Sequence, residues 1–314
     1  MAQLLTVAIS SRALFNLEDG NVIYEREGEA AFSGYMRKNE KTPLRPGVSF
    51  ELVRKLLALN AEGGPRDKVE VILLSSNSLE AGARVMNSVR HYGLDIERAF
   101  FTSGANRFKL AKAGNVTLFL STNPGEVHKA LESGIASACV QRHSRMNERT
   151  DLIRIAFDGD SVLFSDEAEK VNQEEGLAAF QLSEQTKAKV PLAAGPFKQV
   201  LQAMHDIQEL YPLGDCPLRI ALVTARGIPV HERVLKTFRS WKVKVDEAFF
   251  CAGLPKGPFL EAFGADLFFD DSLHNVTSAV QYVPTGHVPY GVAAFILPAT
   301  PKVSSPVKAA IVKV

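Results

Sequence analysis

The sequence predicts an α/β protein made of two duplicated, doubly wound (Rossmann-like) parallel-sheet halves, the first of which is degenerate. Short apolar runs alternate with amphipathic segments, and the order of these blocks in the first half recurs in the second. In the second half, polar and charged side chains follow directly after the apolar runs. Runs that are apolar throughout are typical of strands buried on both faces, as in a parallel sheet covered by helices.

The elements of the second half follow one another as strand, helix, strand, helix, strand, helix, strand. Continuous apolar or β-branched residues indicate the strands, and the segments between them have the polar face of a surface helix. Alternation of this kind favours right-handed crossovers and an open sheet. The predicted strands are IRIAF at 153–157, RIALVT at 219–224, EAFF at 247–250 and DLFF at 266–269.

The first half contains the same blocks in the same order. LTVAISSRALF at 5–15 matches IRIAFDGDSVLF at 153–164, and equivalent positions lie 148 or 149 residues apart across five such pairs. A period of half the chain indicates a domain duplication rather than a solenoid. We therefore predict two domains, at 1–150 and 151–314.

Composition excludes several classes of partner. The chain has 36 basic and 35 acidic side chains, so no charge excess favours nucleic acid or an anionic membrane. Its apolar runs are too short to span a bilayer. Its three cysteines lack metal-site spacing, and we expect them to be small buried side chains. Arg12 interrupts the first apolar stretch, which lacks a basic leader, so we expect a cytoplasmic protein.

Six chemically active side chains follow the four predicted strands of the second half. In open α/β sheets, ligands bind at the carboxyl ends of the strands, so these side chains should lie close together. Each of them alone also fits a turn, a helix cap or a surface position. In chain order they are Asp158 and Asp160, then Thr224, then Lys256, and finally Asp270 and Asp271.

This set of groups suits phosphoryl transfer through an aspartyl phosphate. Asp158 is the predicted nucleophile, and Asp160 would protonate the leaving group and then activate water. Thr224 and Lys256 would hold the charged phosphate oxygens. Arg226, two residues beyond the threonine, either binds phosphate or is structural.

A divalent cation is the expected cofactor. Mg²⁺ prefers one or two carboxylates together with waters and phosphate. The predicted metal residues are Asp158, Asp160, Asp270 and Asp271. The last of these either binds the metal directly or orients the lysine. The two histidines that follow in the chain, His274 and His287, have no metal-ligand spacing and are interpreted as structural.

The first half carries hydroxyl and guanidinium groups where the second half carries these acids. Without the carboxylates, this half can neither bind Mg²⁺ nor form an acyl phosphate. Its remaining groups could bind an anion, either part of the substrate or a regulatory nucleotide, or they could be structural remnants that face the other half. The predicted binding residues are Ser10, Ser11, Arg12 and Arg107, with Arg226 from the second half. Side chains that could contact a base are Phe15, Asn77, Phe101 and Asn106, although each also fits a core or turn position.

The four motifs of the second half, which begin with DGDSV at 158–162, resemble those of haloacid-dehalogenase-type phosphatases. From about residue 5 to 293, the chain is also similar to the cytosolic 5′-nucleotidases of type I. This second resemblance is carried by blocks such as IRIAFDGDSVLFSDE, GLPKGPFLE and HVPYGVA. It implies Mg²⁺-dependent hydrolysis of nucleoside 5′-monophosphates, AMP foremost. Vertebrate members are cytosolic and oligomeric, which leaves a homo-oligomer open.

Two alternatives to this function remain open from the sequence. One is a phosphatase of the same chemistry that acts on another small phosphomonoester. The other is a nucleotide-sensing protein with weak turnover. The charged segment near 165–195 is long enough for a small helical cap over the site, or for two solvated surface helices.

Overall fold

The computed structural model of the chain describes residues 5–60, 68–141, 152–212 and 214–292. In this part of the chain, ten strands form one sheet in the order β3-β2-β1-β4-β5-β10-β9-β6-β7-β8. The strands are β1 (Leu5–Ile9), β2 (Val69–Ser75), β3 (Arg98–Phe101), β4 (Leu118–Ser121), β5 (Ala136–Gln141), β6 (Ile153–Phe157), β7 (Leu218–Thr224), β8 (Glu247–Phe250), β9 (Leu267–Asp270) and β10 (Thr285–His287).

Helices connect these strands and cover both faces of the sheet. They are α1 (Ser11–Leu14), α2 (Glu18–Glu27), α3 (Glu29–Lys38), α4 (Phe50–Ala58), α5 (Leu79–His91), α6 (Phe108–Ala113), α7 (Pro124–Glu132), α8 (Glu167–Glu175), α9 (Leu177–Thr186), α10 (Lys198–Gln208), α11 (His231–Trp241), α12 (Gly257–Phe263) and α13 (Leu273–Ala279). The predicted α/β class with a mostly parallel sheet is confirmed. The predicted boundary between residues 150 and 151 lies outside the described residues.

The sheet consists of two sets of five strands with mirrored order. Reading inward from either edge, the third strand is the first of its set in the chain, namely β1 or β6. The sets meet where β5 pairs with β10, which is the antiparallel pair of this sheet; the other pairs are parallel. Strand direction therefore reverses at the centre of the sheet. As a result, the carboxyl ends of one set lie on the same side as the amino ends of the other set.

The sequence predicted four strands in each half, and it missed the strand of each set that lies at the centre of the whole sheet, namely β5 and β10. β10 has three residues, Thr-Gly-His, with none of the apolar character that indicates a strand. Gly286 suits this position, because a Cβ there would lie in tight contact, 3.0 Å from both the Ala138 and the Phe269 side chains. Close packing between neighbouring strands, rather than local propensity, determines this element.

The apolar core follows from the alternation of side chains along each strand. Val7 and Ile9 of β1 and Phe157 of β6 belong to one apolar cluster that extends over both strand sets on one face. Ala8 lies between Val7 and Ile9 in β1, and Ala156 directly precedes Phe157 in β6. These two alanines belong to two separate apolar clusters on the other face of the sheet. One continuous core thus joins the two sets.

A buried ion pair also links the two strand sets. Lys55 of α4 lies with its Nζ 2.7 Å from the Asp266 carboxylate, just before β9, and donates to the Leu152 carbonyl at 2.9 Å. Both side chains are about nine-tenths buried. Because a buried charge is stable only when it is paired, this contact fixes α4 of the first set against the second.

The described helices are all too short or too polar to span a bilayer. The three cysteines carry no disulfide. Cys139 and Cys251 are buried as predicted, whereas Cys216 is partly exposed. Their small size suits the packed positions that two of them occupy.

Two equivalent glycines allow the chain to cross closely after the first strand of each set. A Cβ on Gly47 would lie 2.7 Å from the Ala13 carbonyl oxygen, and one on Gly195 would lie 2.2 Å from the Phe164 carbonyl oxygen. Both distances are shorter than any tolerated contact, and the atoms met belong to the backbone. A glycine is therefore required at each crossing.

We expect Gly195→Ala to lower the free energy of unfolding by about 2–3 kcal/mol, because the new methyl group must displace backbone. Gly34→Ala is the matched control, since a Cβ at this helical position meets no atom within 4 Å. Alanine there should raise stability by about 0.5–1 kcal/mol. Urea denaturation measures both changes, and equal stability of the two variants would contradict the crossing described.

Candidate active site

A tight turn after β6 presents the first acidic residue. Asp158 directly follows the strand, and its carboxylate accepts a hydrogen bond from the Gly159 amide at 2.7 Å. Ser161 completes the turn with a left-handed φ of 60°. A Cβ on Gly159 would lie 3.5 Å from the Thr224 Oγ1, so the glycine brings this turn against the tip of β7. The predicted neighbours Asp158 and Thr224 are therefore adjacent, and both are buried.

Lys256 joins the tips of two strands. It precedes α12, and its Nζ lies 2.9 Å from Asp158 Oδ1 and 2.7 Å from Asp270 Oδ2. The Asp270 side chain is fully buried, and the lysine is 5% exposed. Burial alone would lower the pKa of Lys256, but the two carboxylates raise it above its usual value. The ammonium therefore stays charged.

Three carboxylates converge at this point. Oxygens of Asp158, Asp270 and Asp271 lie within 4.8 Å of one another. Burial, followed by the charge of its neighbours, raises the pKa of Asp271 to about 9. Burial also raises the pKa of Asp158 to about 7, although Lys256 opposes that shift. One ammonium cannot neutralise three buried carboxylates, so the donor set favours a further cation.

The three acids fit a hard divalent ion such as Mg²⁺, which takes oxygen ligands. Neighbouring groups fix the orientation of the Asp270 carboxylate. The Ser272 amide donates to it at 2.8 Å, and the Asn275 side-chain amide donates to both of its oxygens at 3.2 Å. Supporting contacts of this kind are what a metal ligand needs to hold its position.

Asp160, predicted as a fourth metal residue, has its carboxylate elsewhere. Arg226 donates to both of its oxygens at 2.8 Å, from Nε and Nη2. Because the guanidinium occupies both oxygens, the side chain is not part of the three-carboxylate cluster. The same contacts pair the charge of Arg226, for which the sequence left phosphate binding and a structural role open. Its side chain is 2% exposed, and this geometry favours the structural role.

Two helices, α8 and α9, form the segment for which the sequence left open a small cap over the site or two solvated surface helices. Glu184 of α9 is buried between two arginines: it forms an ion pair with Arg226 and accepts from Arg233 Nη1 at 2.6 Å. Arg233, on α11, also pairs with Glu167 of α8. These contacts form one chain of charges, here called the cap network, which runs from Asp160 through the arginines to both cap helices.

Several residues of this site escaped sequence reasoning. Asn275 lies in α13, and no motif marks it. His287, interpreted as structural, lies with its Nε2 2.9 Å from the Asp271 carbonyl oxygen, and burial lowers its pKa. Glu184 is the charged residue of α9, and Arg233 lies in α11, whose other charged side chains face solvent. Because charged side chains on surface helices usually face solvent, the sequence does not mark these two as buried.

The first-half candidates lie apart from the acidic cluster. Ser10, Ser11 and Arg12 line a separate cavity of about 580 Å³, and Asn77 lies in the same wall. Arg107 is buried and forms an ion pair with Glu126 at 2.6 Å. The other side chains proposed for base contact have structural roles: Phe15 stacks on Tyr92 in the core, Asn106 accepts from the Phe108 amide, and Phe101 packs over Gly82.

Comparison with known proteins gives a family for this arrangement. Residues 1–294 match the model of the 5′-nucleotidase family. Cytosolic 5′-nucleotidase 1B of Homo sapiens is 38% identical over 286 residues, which are 88% of this chain and 47% of that protein. The chain thus spans about half the length of this curated relative. A solved histidinol dehydrogenase from Elizabethkingia anophelis covers 91% of this chain and 80% of its own at 8% identity, but its TM-score of 0.22 carries no argument.

We expect Mg²⁺ to raise the thermal midpoint of the protein by about 2–3 °C at several times its Kd, because it binds only the folded cluster. Asp270→Asn should abolish that shift, since it removes a ligand charge. Asp215→Asn, the same change at an exposed turn residue, should retain it. Differential scanning calorimetry measures the shift, and a full shift in Asp270→Asn would contradict the site.

Glu184→Gln should lower the free energy of unfolding by about 3 kcal/mol, because it leaves two buried guanidinium groups without their shared carboxylate. Glu175→Gln, an exposed glutamate at the end of α8, is the control and should change stability by less than about 0.5 kcal/mol. Chemical denaturation measures both variants. Equal stability would show that the cap network contributes nothing to the fold.

Proposed function

This chain belongs to the 5′-nucleotidase family, and we propose that it hydrolyses nucleoside 5′-monophosphates, with AMP favoured, to nucleoside and phosphate. The observation that carries the proposal is the contact of one buried lysine with two strand-end aspartates, Asp158 and Asp270. Family membership supplies the reaction, and these buried charges supply the groups that the reaction needs. The preference for AMP rests on the sequence resemblance.

Asp158 is the proposed nucleophile. Its carboxylate attacks phosphorus in line, the bond to the 5′-oxygen breaks, and an aspartyl phosphate forms on the enzyme. Lys256 and the Thr224 hydroxyl hold the phosphate oxygens, where negative charge resides in the transition state. In support, the Lys256 ammonium and Asp158 are already within hydrogen-bond distance, so a phosphate bound to one contacts the other.

Asp160 is the proposed general acid and base. It protonates the departing 5′-oxygen, and it then takes a proton from the water that attacks the aspartyl phosphate, which regenerates Asp158. Because Arg226 occupies both of its oxygens, we propose that this pairing is a resting arrangement that Asp160 leaves to donate its proton. The cap network links that change to the position of α8 and α9.

Asp158, Asp270 and Asp271 are the proposed ligands of Mg²⁺. When bound, the ion neutralises phosphate charge and the mutual repulsion of these acids. The Asp160 side chain is not proposed as a ligand, because Arg226 binds both of its oxygens. Within this scheme, Asn275 holds Asp270 in the orientation that both the metal and Lys256 require.

We also propose that the fold arose by duplication, with a first domain at 1–150 and a catalytic haloacid-dehalogenase-type domain at 151–314. The mirrored strand order supports this, as do local features. The glycines between the two helices of each hairpin, Gly28 and Gly176, have φ of 83° and 85°. β2 and β7 share one burial pattern, as do β3 and β8.

The remaining sequence-based expectations stay proposals. A cytoplasmic location is consistent with the word cytosolic in the name of the human relative. Formation of a homo-oligomer and the absence of nucleic-acid partners stay predictions from the sequence. Hydrolysis of another small phosphomonoester would use the same residues, and phosphate release from a panel of sugar phosphates and nucleotides separates the two substrate classes.

Asp158→Asn should lower kcat for phosphate release from AMP by at least about 10³-fold, because an amide is a far weaker nucleophile than a carboxylate. Asp215→Asn is the matched control and should keep full activity, since its side chain is exposed and remote from the cluster. Phosphate release is measured with Mg²⁺ and with EDTA. Retention of a tenth of the activity in Asp158→Asn would exclude it as the nucleophile.

A further inference from the structure

We propose that the first strand set carries a second ligand site, which takes a phosphorylated ligand of nucleotide size without a metal ion. The site is the cavity of about 580 Å³ at the carboxyl ends of β1, β2 and β4, here called the first-half cavity. Its volume is within the range of small-molecule sites. It occupies, in its own set, the place that the aspartate cluster occupies in the other.

The first-half cavity cannot be an extension of the proposed active site. β1 and β6 are separated by four intervening strands, which is about 24 Å at the usual strand spacing. Because β5 and β10 are antiparallel, the carboxyl ends of one set also lie on the same side of the sheet as the amino ends of the other set. One nucleoside monophosphate cannot reach both sites. The sequence left two ligands open for these residues, namely part of the substrate or a regulatory nucleotide. This geometry excludes the first, because the substrate bound in the active site cannot extend to this cavity.

The floor of the cavity consists of hydroxyl groups where the other set has acids. Ser10 and Ser121 replace Asp158 and Asp270 at equivalent strand ends, and no strand-end carboxylate remains among the lining residues. Such a floor does not repel a phosphate, and the Ser10 hydroxyl, which accepts from the Ala13 amide, keeps its own proton to donate. It also lacks the paired acids that would require Mg²⁺.

Two carboxylates, Glu126 and Glu29, line the cavity, and both accept hydrogen bonds from neighbouring serines. Glu126 forms an ion pair with Arg107 at 2.6 Å and accepts from the Ser121 hydroxyl at 2.7 Å, so its charge is compensated. Glu29 lies exposed at the start of α3 and accepts from Ser33 at 3.2 Å. Arg12 also lines the cavity, and it has no ion-pair partner within the described residues. It is therefore the cation available to a ligand anion.

Ser11 provides an independent sign of a missing partner. Ser11 belongs to the lining of the first-half cavity and is 3% exposed, and its hydroxyl has no hydrogen-bond partner in the described structure. A buried hydroxyl left unsatisfied costs about 1–3 kcal/mol, so it is expected to bond to something that enters the cavity. In the catalytic set the equivalent residue is Gly159, which has no side chain to donate.

Two helices of adequate length begin at this cavity. α5 starts after Ser78 and α7 after Asn123, and both of these cap residues belong to the wall. Helix N-termini carry partial positive charge and favour phosphate. Leu17, Tyr24 and Phe32 add apolar side chains to the same lining. A cavity that combines hydroxyls and helix termini with apolar side chains suits a ligand that carries both a phosphate and a flat apolar ring.

Isothermal titration in EDTA tests the proposal, because the absence of metal prevents hydrolysis. The probes are AMP, inorganic phosphate and adenosine, titrated separately into the full chain. We expect AMP to bind, and Arg12→Ala and Ser11→Ala each to raise its Kd by about tenfold, through loss of one charged or neutral hydrogen bond. Arg26→Ala, which removes an exposed arginine outside the cavity wall, should leave the Kd unchanged.

Lys256→Gln separates this site from the proposed active site, because it removes the ammonium proposed to hold phosphate there and should keep the EDTA-resistant binding. Phosphate that binds without the nucleoside, but more weakly than AMP, supports a site built around the phosphate group. The proposal is overturned if neither AMP nor phosphate binds in EDTA, or if adenosine binds as tightly as AMP. It is also overturned if binding survives Arg12→Ala and Ser11→Ala, or is lost in Lys256→Gln. Calorimetric unfolding of each variant shows that it is folded.

Discussion

The buried contact of one ammonium with a group of three carboxylates is the constraint on which the site depends. Lys256 compensates part of the charge of Asp158 and Asp270, and ionisation of Asp271 as well would leave more negative charge than one lysine neutralises. Buried charges persist only where partners hold them. The turn at Gly159, the amide of Asn275 and the strand ends of β6 and β9 all serve to hold this cluster. In the proposed mechanism, a divalent ion compensates the remaining negative charge of this cluster.

The two strand sets distribute the same kinds of charge differently. In the first set, the carboxylate partner of the cation lies in the helix that follows the strand and not at the strand end. There Glu126, which aligns with Asn275, pairs with Arg107, which aligns with Lys256. Each set thus keeps one buried cation–carboxylate pair. The second set has surplus negative charge suited to a metal, whereas the first has hydroxyls suited to an anion.

Patterns that are local in sequence predicted the strands, their buried character and the acids at their ends. Asp158, Lys256 and Asp270 meet because carboxyl ends of parallel strands share one edge of a sheet. The antiparallel contact of β5 with β10 could not be predicted, because it depends on packing between distant segments. The pairing of Asp160 with Arg226 was missed for a related reason, because ion pairs between distant residues depend on their positions in the folded chain. Glu184, the second partner of Arg226, lies in a segment that no sequence motif marks.

Trapping the phosphorylated residue tests the central claim most directly. The enzyme is quenched in acid during turnover of AMP with Mg²⁺, reduced with borohydride, digested and analysed by mass spectrometry. Borohydride converts an aspartyl phosphate to homoserine, so we expect homoserine at position 158 and unmodified aspartate at 160, 270 and 271. Reduction at another aspartate, or none while phosphate is being released, would contradict the assignment of Asp158 as the residue that receives phosphate.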